Sequence, residues 1–126
     1  MEKKKELGKP DKLELPSYAE VKGPVLMVNM LRFKNRAHYF DTYLPAFRRV
    51  TEQLGFKEVK VQMALHIKAN ILTSADEQWD CILVVEYPSA QAFKTIAESQ
   101  EYQDIANPHR MEATAALNLY MTTLID

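Results

Sequence analysis

WDCILVVEYPSAQAF (79–93) decides the fold, because it holds a strand, a turn and the start of a helix in one short stretch. Its first part, 79–87, is an apolar run rich in β-formers and bounded by turn residues, which reads as a buried strand. Pro88 ends the run and Ser89 supplies a side-chain oxygen of the kind that caps a helix N-terminus. Ala92, Phe93, Ile96 and Ala97 then fall at spacings of one, three and four, the apolar face of a helix. A strand that is apolar on both sides needs cover on both faces.

Outward from this stretch the pattern repeats. VLMVNMLRF (25–33) is a second buried strand, entered after Gly23-Pro24 and broken only by Asn29 and Arg32. Asn35 is the expected N-cap of the next element, and Tyr39, Phe40, Tyr43, Leu44, Phe47, Val50 and Leu54 mark an amphipathic helix that Gly55 ends. Pro45 lies inside that pattern, where the missing N–H and the ring predict a kink or a restart. Val59, Val61, Met63, Leu65, Ile67, Ala69 and Ile71 alternate with Lys60, Gln62, Ala64, His66, Lys68 and Asn70, which predicts a long strand over 59–73. After the second helix, SQEYQDIANPHRMEATAA predicts short helical turns that restart at Asn107-Pro108, and LNLYMTTLI (117–125) predicts a last strand. The order β-α-β-β-α-β is the ferredoxin-like arrangement of the α+β class: a four-stranded antiparallel sheet with both helices on one face.

Residues 25–126 therefore form one domain, and residues 1–24, with Gly8, Pro10, Pro16, Gly23 and Pro24, are expected to be an extended arm. The formal net charge of −1 creates no general field for a nucleic-acid backbone or an anionic membrane, so neither is an expected partner. The N-terminal lysines have no apolar stretch behind them, and no run approaches the length of a membrane-crossing helix, so a cytoplasmic location is expected. Cys81 is the single cysteine; it sits in an apolar run, where an inert buried thiol is expected. Two helices cover one face of a sheet whose central strands are apolar on both. The sequence thus predicts a homodimer, joined through the open sheet face and the long strand 59–73.

The residues VLMVNMLRFK, YLPAF, WDCILVVEYPSAQAF and EYQDIANPHR, in this order, resemble the small dimeric α+β barrel proteins classed as a domain of unknown function. The resemblance runs over about residues 24–124 and implies two ferredoxin-like units joined sheet to sheet. It also implies kinship with a superfamily that includes antibiotic-biosynthesis-type monooxygenases, haem-degrading enzymes and muconolactone isomerases. Fold alone does not choose among these chemistries.

No phosphate loop, dinucleotide fingerprint, HExxH or cysteine pair is present. His38, His66 and His109 lie on different predicted elements without ligand spacing, so no metal is expected. Asn29 is an amide inside an apolar strand, on the same side as Met27, Leu31 and Phe33, and it costs a few kcal/mol unless hydrogen-bonded. It is either a satisfied core amide or a cavity donor that orients a substrate. The resemblance favours the second reading, since cofactor-free oxygenases and haem degraders of the superfamily place an Asn on the first strand. The haem degraders pair that Asn with a Trp and a His. Here Tyr87 stands at the Trp position and His109 lies one residue out of register, so haem is not expected and no cofactor is implied.

His109 is the expected acid–base group, with Asn29 as its catalytic companion. Arg110, Tyr43, Tyr87 and Trp79 are the expected substrate contacts, each weighed against a plainer reading as a salt-bridge or core residue. The expected function is that of a cofactor-independent enzyme, oxygenase- or isomerase-like, acting on a small organic molecule. The alternative is a non-catalytic binding or structural dimer. A cavity above about 300 Å³ holding Asn29 with His109 or Arg110 supports the first. Asn29 bonded to backbone in a filled core supports the second.

Overall fold

A computed structural model describes residues 20–126. Most of the expected arm, 1–24, lies outside the described residues; within its last stretch Val21 packs against the core. The chain forms β1 (Val25–Phe33), helix α1 over 36–53, β2 (Lys60–His66), β3 (Cys81–Tyr87), α2 (Ala90–Ala97), α3 over 102–113 and β4 (Thr114–Thr122). The four strands make one antiparallel sheet in the order β2-β3-β1-β4. This is the ferredoxin-like α+β fold, with the two most apolar strands in the centre.

The caps are those the residue types dictate. Asn35 Oδ1 accepts from His38 N at 3.0 Å, and Ser89 Oγ accepts from Ala92 N at 3.0 Å. Gly55 follows α1 with a φ of 84°, a left-handed conformation that glycine adopts without strain.

Each long helix contains one wide turn just before a proline. In α1 the turn is Tyr39–Tyr43, with Leu44 N–H donating five residues back to Tyr39 O. In α3 it is Tyr102–Ala106, with Asn107 N–H donating to Tyr102 O. Pro45 and Pro108 follow directly. A proline inside a helix lacks a donor and crowds the carbonyl four residues back, and a π turn makes room for both. The two segments share a pattern, YFDTYLP and YQDIANP, that is Tyr-x-Asp-x-x-x-Pro. The kink expected at Pro45 is thus a widened turn, and the same device recurs at Pro108.

The strand expected over 59–73 is shorter. β2 ends at His66, one further bond joins Ile67 N to Asp80 O, and no strand lies between it and β3. The alternation continues in the sequence, but β3 ends at Cys81 and leaves nothing to pair with. The chain from 67 to 80 is a loop, closed where Asn70 bonds both N and O of Trp79. Inside β2 the register slips at Gln62: Val61 pairs with Val85 and Met63 with Val84. This bulge sends Val61 to the helix side while Met63 and Leu65 stay on the other.

The core lies between sheet and helices, with Val25, Leu31, Val50, Leu83 and Ile96 fully buried. The opposite sheet face carries Leu26, Val28 and Met30 of β1, Ile82 and Val84 of β3, Met63 and Leu65 of β2 and Tyr120 of β4. No helix of the described residues is long and apolar enough to cross a membrane.

Candidate functional site

A cavity of about 250 Å³ lies between the sheet and the two π turns. Met27, Leu31, Leu83, Val85, Leu117 and Leu119 form its floor, on the helix-facing side of β1, β3 and β4. Tyr39 and Tyr43 come from the wide turn of α1 and Tyr102 from that of α3. The extra residue in each turn swings these tyrosines over the same space, in keeping with the tendency of π turns to occur at functional sites. Tyr87 closes the end of β3, and Arg110 and Asn107 descend from α3.

The polar groups of this wall are few and specific. The Tyr43 and Tyr102 hydroxyls are 2.9 Å apart, so one donates to the other and one proton remains for a third partner. Tyr39 and Tyr87, 2% and 5% exposed, have no hydroxyl partner among the described residues. Burial pushes the Tyr39, Tyr43 and Tyr87 hydroxyls well above the usual tyrosine range, and Tyr102 beside them adds to the effect. All three stay protonated at neutral pH and are donors. Asn29 Nδ2 donates to Met27 O at 3.3 Å and Leu83 O at 3.2 Å. Both neighbours are carbonyls, so the NH2 must face them, and Oδ1 is the atom left to a ligand. Asn29 is therefore an acceptor in this wall, where the sequence suggested a donor.

Neither outcome set by the sequence is reached in full. The cavity holds Asn29 and Arg110, but its volume is below about 300 Å³, and Asn29 bonds to backbone beside an open space and not in a filled core. Arg110 Nε donates to Asn107 Oδ1 at 3.1 Å, which fixes the guanidinium at the wall.

Of the six expected site residues, Asn29, Arg110, Tyr43 and Tyr87 line the cavity and two do not. Trp79 sits in the 67–80 loop under the Arg32 guanidinium, 5.6 Å from its ring centre. Its place is set by Asn70 and by Arg32, which donates to Gln78 O at 2.6 and 2.9 Å. His109 lies beside the cavity on the outer side of α3, with Nδ1 3.1 Å from His38 Nε2. Glu112 Oε2 is 3.4 Å from the same His38 nitrogen. Sequence spacing separated these histidines; the pairing of α1 with α3 joins them. Arg32 bonds backbone carbonyls of this loop, while Asp80 Oδ2 accepts from Phe33 N at 2.9 Å and Glu86 accepts from Gln62 at 2.7 Å.

Tyr39 and Tyr102 were not among the expected contacts. The repeated Tyr-x-Asp-x-x-x-Pro pattern is the signal that marks them. A second depression, about 490 Å³, lies beside β2 and is lined by Phe33, Arg36, Phe40, His66, Asp80 and Cys81. Burial pushes the Cys81 thiol up, against the pull of Arg36, so this wall holds no ready thiolate.

The fold recurs in known structures. A protein of unknown function from Rhodopseudomonas palustris is 26% identical, with a TM-score of 0.69 over 86% of this chain and 88% of its own. A DABB family protein with a ferredoxin-like fold from Mesorhizobium loti matches at 7% identity and a TM-score of 0.53, over 83% of this chain and all of its own. An ethyl tert-butyl ether D (EthD) family protein from Bacillus halodurans matches at 14% identity and 0.57, over 82% of this chain and all of its own. No family model matches the sequence, and no curated protein matches it. The chain is thus similar to a protein of unknown function and to α+β proteins that include one with a ferredoxin-like fold.

Proposed function

We propose that this chain is a cytoplasmic homodimer that binds a compact organic molecule in the cavity between sheet and helices. The observation that carries the reading is the set of polar atoms facing one apolar space. The buried Tyr39 and Tyr87 hydroxyls and Asn29 Oδ1 have no partner among the described residues. A buried polar group without a hydrogen bond costs about 1–3 kcal/mol, so the two buried phenols, with the half-buried Asn29 Oδ1 beside them, call for a molecule that satisfies them together. The phenols donate and the amide oxygen accepts. Their complement is a small, largely apolar or aromatic body bearing a carbonyl beside a hydroxyl or N–H.

A cofactor-independent enzyme is the second reading, and the Tyr43–Tyr102 pair favours it. Two hydrogen-bonded phenols at the wall of a largely apolar cavity can polarise a bound carbonyl, as isomerisation or oxygenation of an enol-forming substrate requires. Such a reaction also needs a base, and the described lining residues hold neither carboxylate nor imidazole. Binding therefore comes first and catalysis second. The open sheet face, apolar from Leu26 to Leu65, supports the dimer.

A thermal-shift screen of the full chain against small hydroxy-carbonyl aromatics and their acids tests the binding site. A ligand that binds only the folded state raises its melting temperature in a saturable way. Binders should lose about tenfold in affinity in Asn29→Leu, which removes the acceptor. A cooperative melt that no member of the set shifts overturns the reading.

A further inference from the structure

His38, His109 and Glu112 stand outside the cavity and have no part in the binding proposed above. They come from two helices. His38 ends the first turn of α1, which Asn35 caps. His109 and Glu112 are three residues apart on α3 and share a face of that helix. One ligand atom from each falls within 4.8 Å of the other two.

His38 Nε2 faces two groups at once, His109 Nδ1 at 3.1 Å, where the tautomer decides which ring donates, and Glu112 Oε2 at 3.4 Å. A ring nitrogen carries at most one hydrogen, so a neutral His38 cannot serve both well. A cation placed among the three atoms serves all of them. The spacing suits one. Bonds of about 2.0–2.2 Å at tetrahedral angles place neighbouring donor atoms about 3.3 Å apart. The two observed separations lie on either side of that value. The histidines are half-buried, the His38 side chain 20% exposed, while Glu112 at 69% can swing inward. Two imidazoles and one carboxylate are borderline donors, suited to Zn2+, Co2+, Ni2+ or Cu2+ and poorly suited to Ca2+ or Mg2+.

We infer that His38, His109 and Glu112 form a binding site for one divalent transition-metal ion of the zinc class, with an open coordination position. The ion ties the start of α1 to α3. Its ligands are chain neighbours of two cavity residues, His38 of Tyr39 and His109 of Arg110, so loading steadies the segments that carry the cavity wall.

The test is calorimetric titration of the untagged, chelator-treated full chain with Zn2+ at about pH 7.5, since metal binding competes with protons for its ligands. One equivalent per chain is expected. His38→Ala and His109→Ala should each weaken binding at least tenfold, and Glu112→Gln by less. His66→Ala, on the distant edge strand, should leave it unchanged. Co2+ should give the visible absorption of a four-coordinate ion, lost in the same variants. Imidazole nitrogen resonances of the unmutated chain provide a check that needs no variant, since Zn2+ should move those of His38 and His109 but not His66. Absence of saturable binding below about millimolar Zn2+ overturns the site, since an affinity that weak corresponds to only about 4 kcal/mol. So does undiminished binding in the His38→Ala/His109→Ala double variant, or a shift confined to His66.

Discussion

The two faces of the sheet are built from the same strands and nearly the same residues, yet they end in different states. On the helix side of β3, Cys81, Leu83, Val85 and Tyr87 are all 5% exposed or less. On the other side of the same strand Ile82 and Val84 are only half-buried, and across the bulge Met63 and Leu65 are 50% and 47% exposed. The helix side is a finished core with a small polar-lined cavity in it. The open side has a core's chemistry and no cover among the described residues. Apolar content alone therefore does not make a core; a face is finished only by what packs on it. The largest effects should separate the two faces.

Leu31 and Leu26 make the sharpest pair, being the same residue type on the same strand and on opposite faces. Leu31 is 1% exposed and Leu31→Ala should cost about 2–5 kcal/mol, the usual range for a buried leucine. Leu26→Ala should cost less in dilute solution, and the gap should narrow as protein concentration rises and the open face is covered. Urea unfolding of both variants at two well-separated concentrations measures this. Equal, concentration-independent losses would show that the two faces do not differ in this way.

A charge on the open face should act on assembly and spare the fold. Val84 lies at the middle of that face, between Val28 and Met63. Val84→Lys should raise the dimer dissociation constant by more than a hundredfold, about 2.7 kcal/mol, while the monomer keeps its circular dichroism. Sedimentation of the parent chain should give twice 14.5 kDa, and of the variant 14.5 kDa. A monomeric parent at micromolar concentration would sink the dimer.

The contrast also explains what was legible in the sequence. Periodicity reports which residues could share a face, so it reveals β1, β3, the helices and their caps at Asn35 and Ser89. It is silent about whether a partner strand exists, and so 59–73 read as one strand though β3 offers pairing only as far as Cys81. It is also blind to a bulge, which is why Val61 and Met63 seemed in phase. The cavity was legible where a residue broke its surroundings: Asn29 among apolar neighbours, Tyr87 at a strand end. Tyr102 and the His38–His109 pair were hidden because their meaning lies in a contact across many residues, 59 for Tyr43–Tyr102 and 71 for the histidines.

The smallest expected effect is confined to the cavity and is read by pH. Burial, reinforced by Tyr102, holds the Tyr43 proton far more tightly in the folded chain than in the unfolded one, where a tyrosine titrates near pH 10. Below about pH 10 both states are protonated and the term is fully present. Above it the unfolded chain sheds the proton while the folded chain keeps it, so the unfolded state binds fewer protons and stability falls as pH rises. Each such tyrosine contributes a slope of at most about 1.4 kcal/mol per pH unit. Tyr39 and Tyr87 share the direction, so the parent should lose stability steeply above about pH 10. Tyr43→Phe should lose it less steeply by one tyrosine's share. Tyr120 stands on the open face and is 51% exposed, so Tyr120→Phe should leave the slope nearly unchanged. Urea midpoints followed from neutral to strongly alkaline pH make the comparison. Equal slopes for the Tyr43 and Tyr120 variants would mean that the cavity is wet enough to solvate a phenolate, and that the two faces do not differ in the way their tyrosines imply.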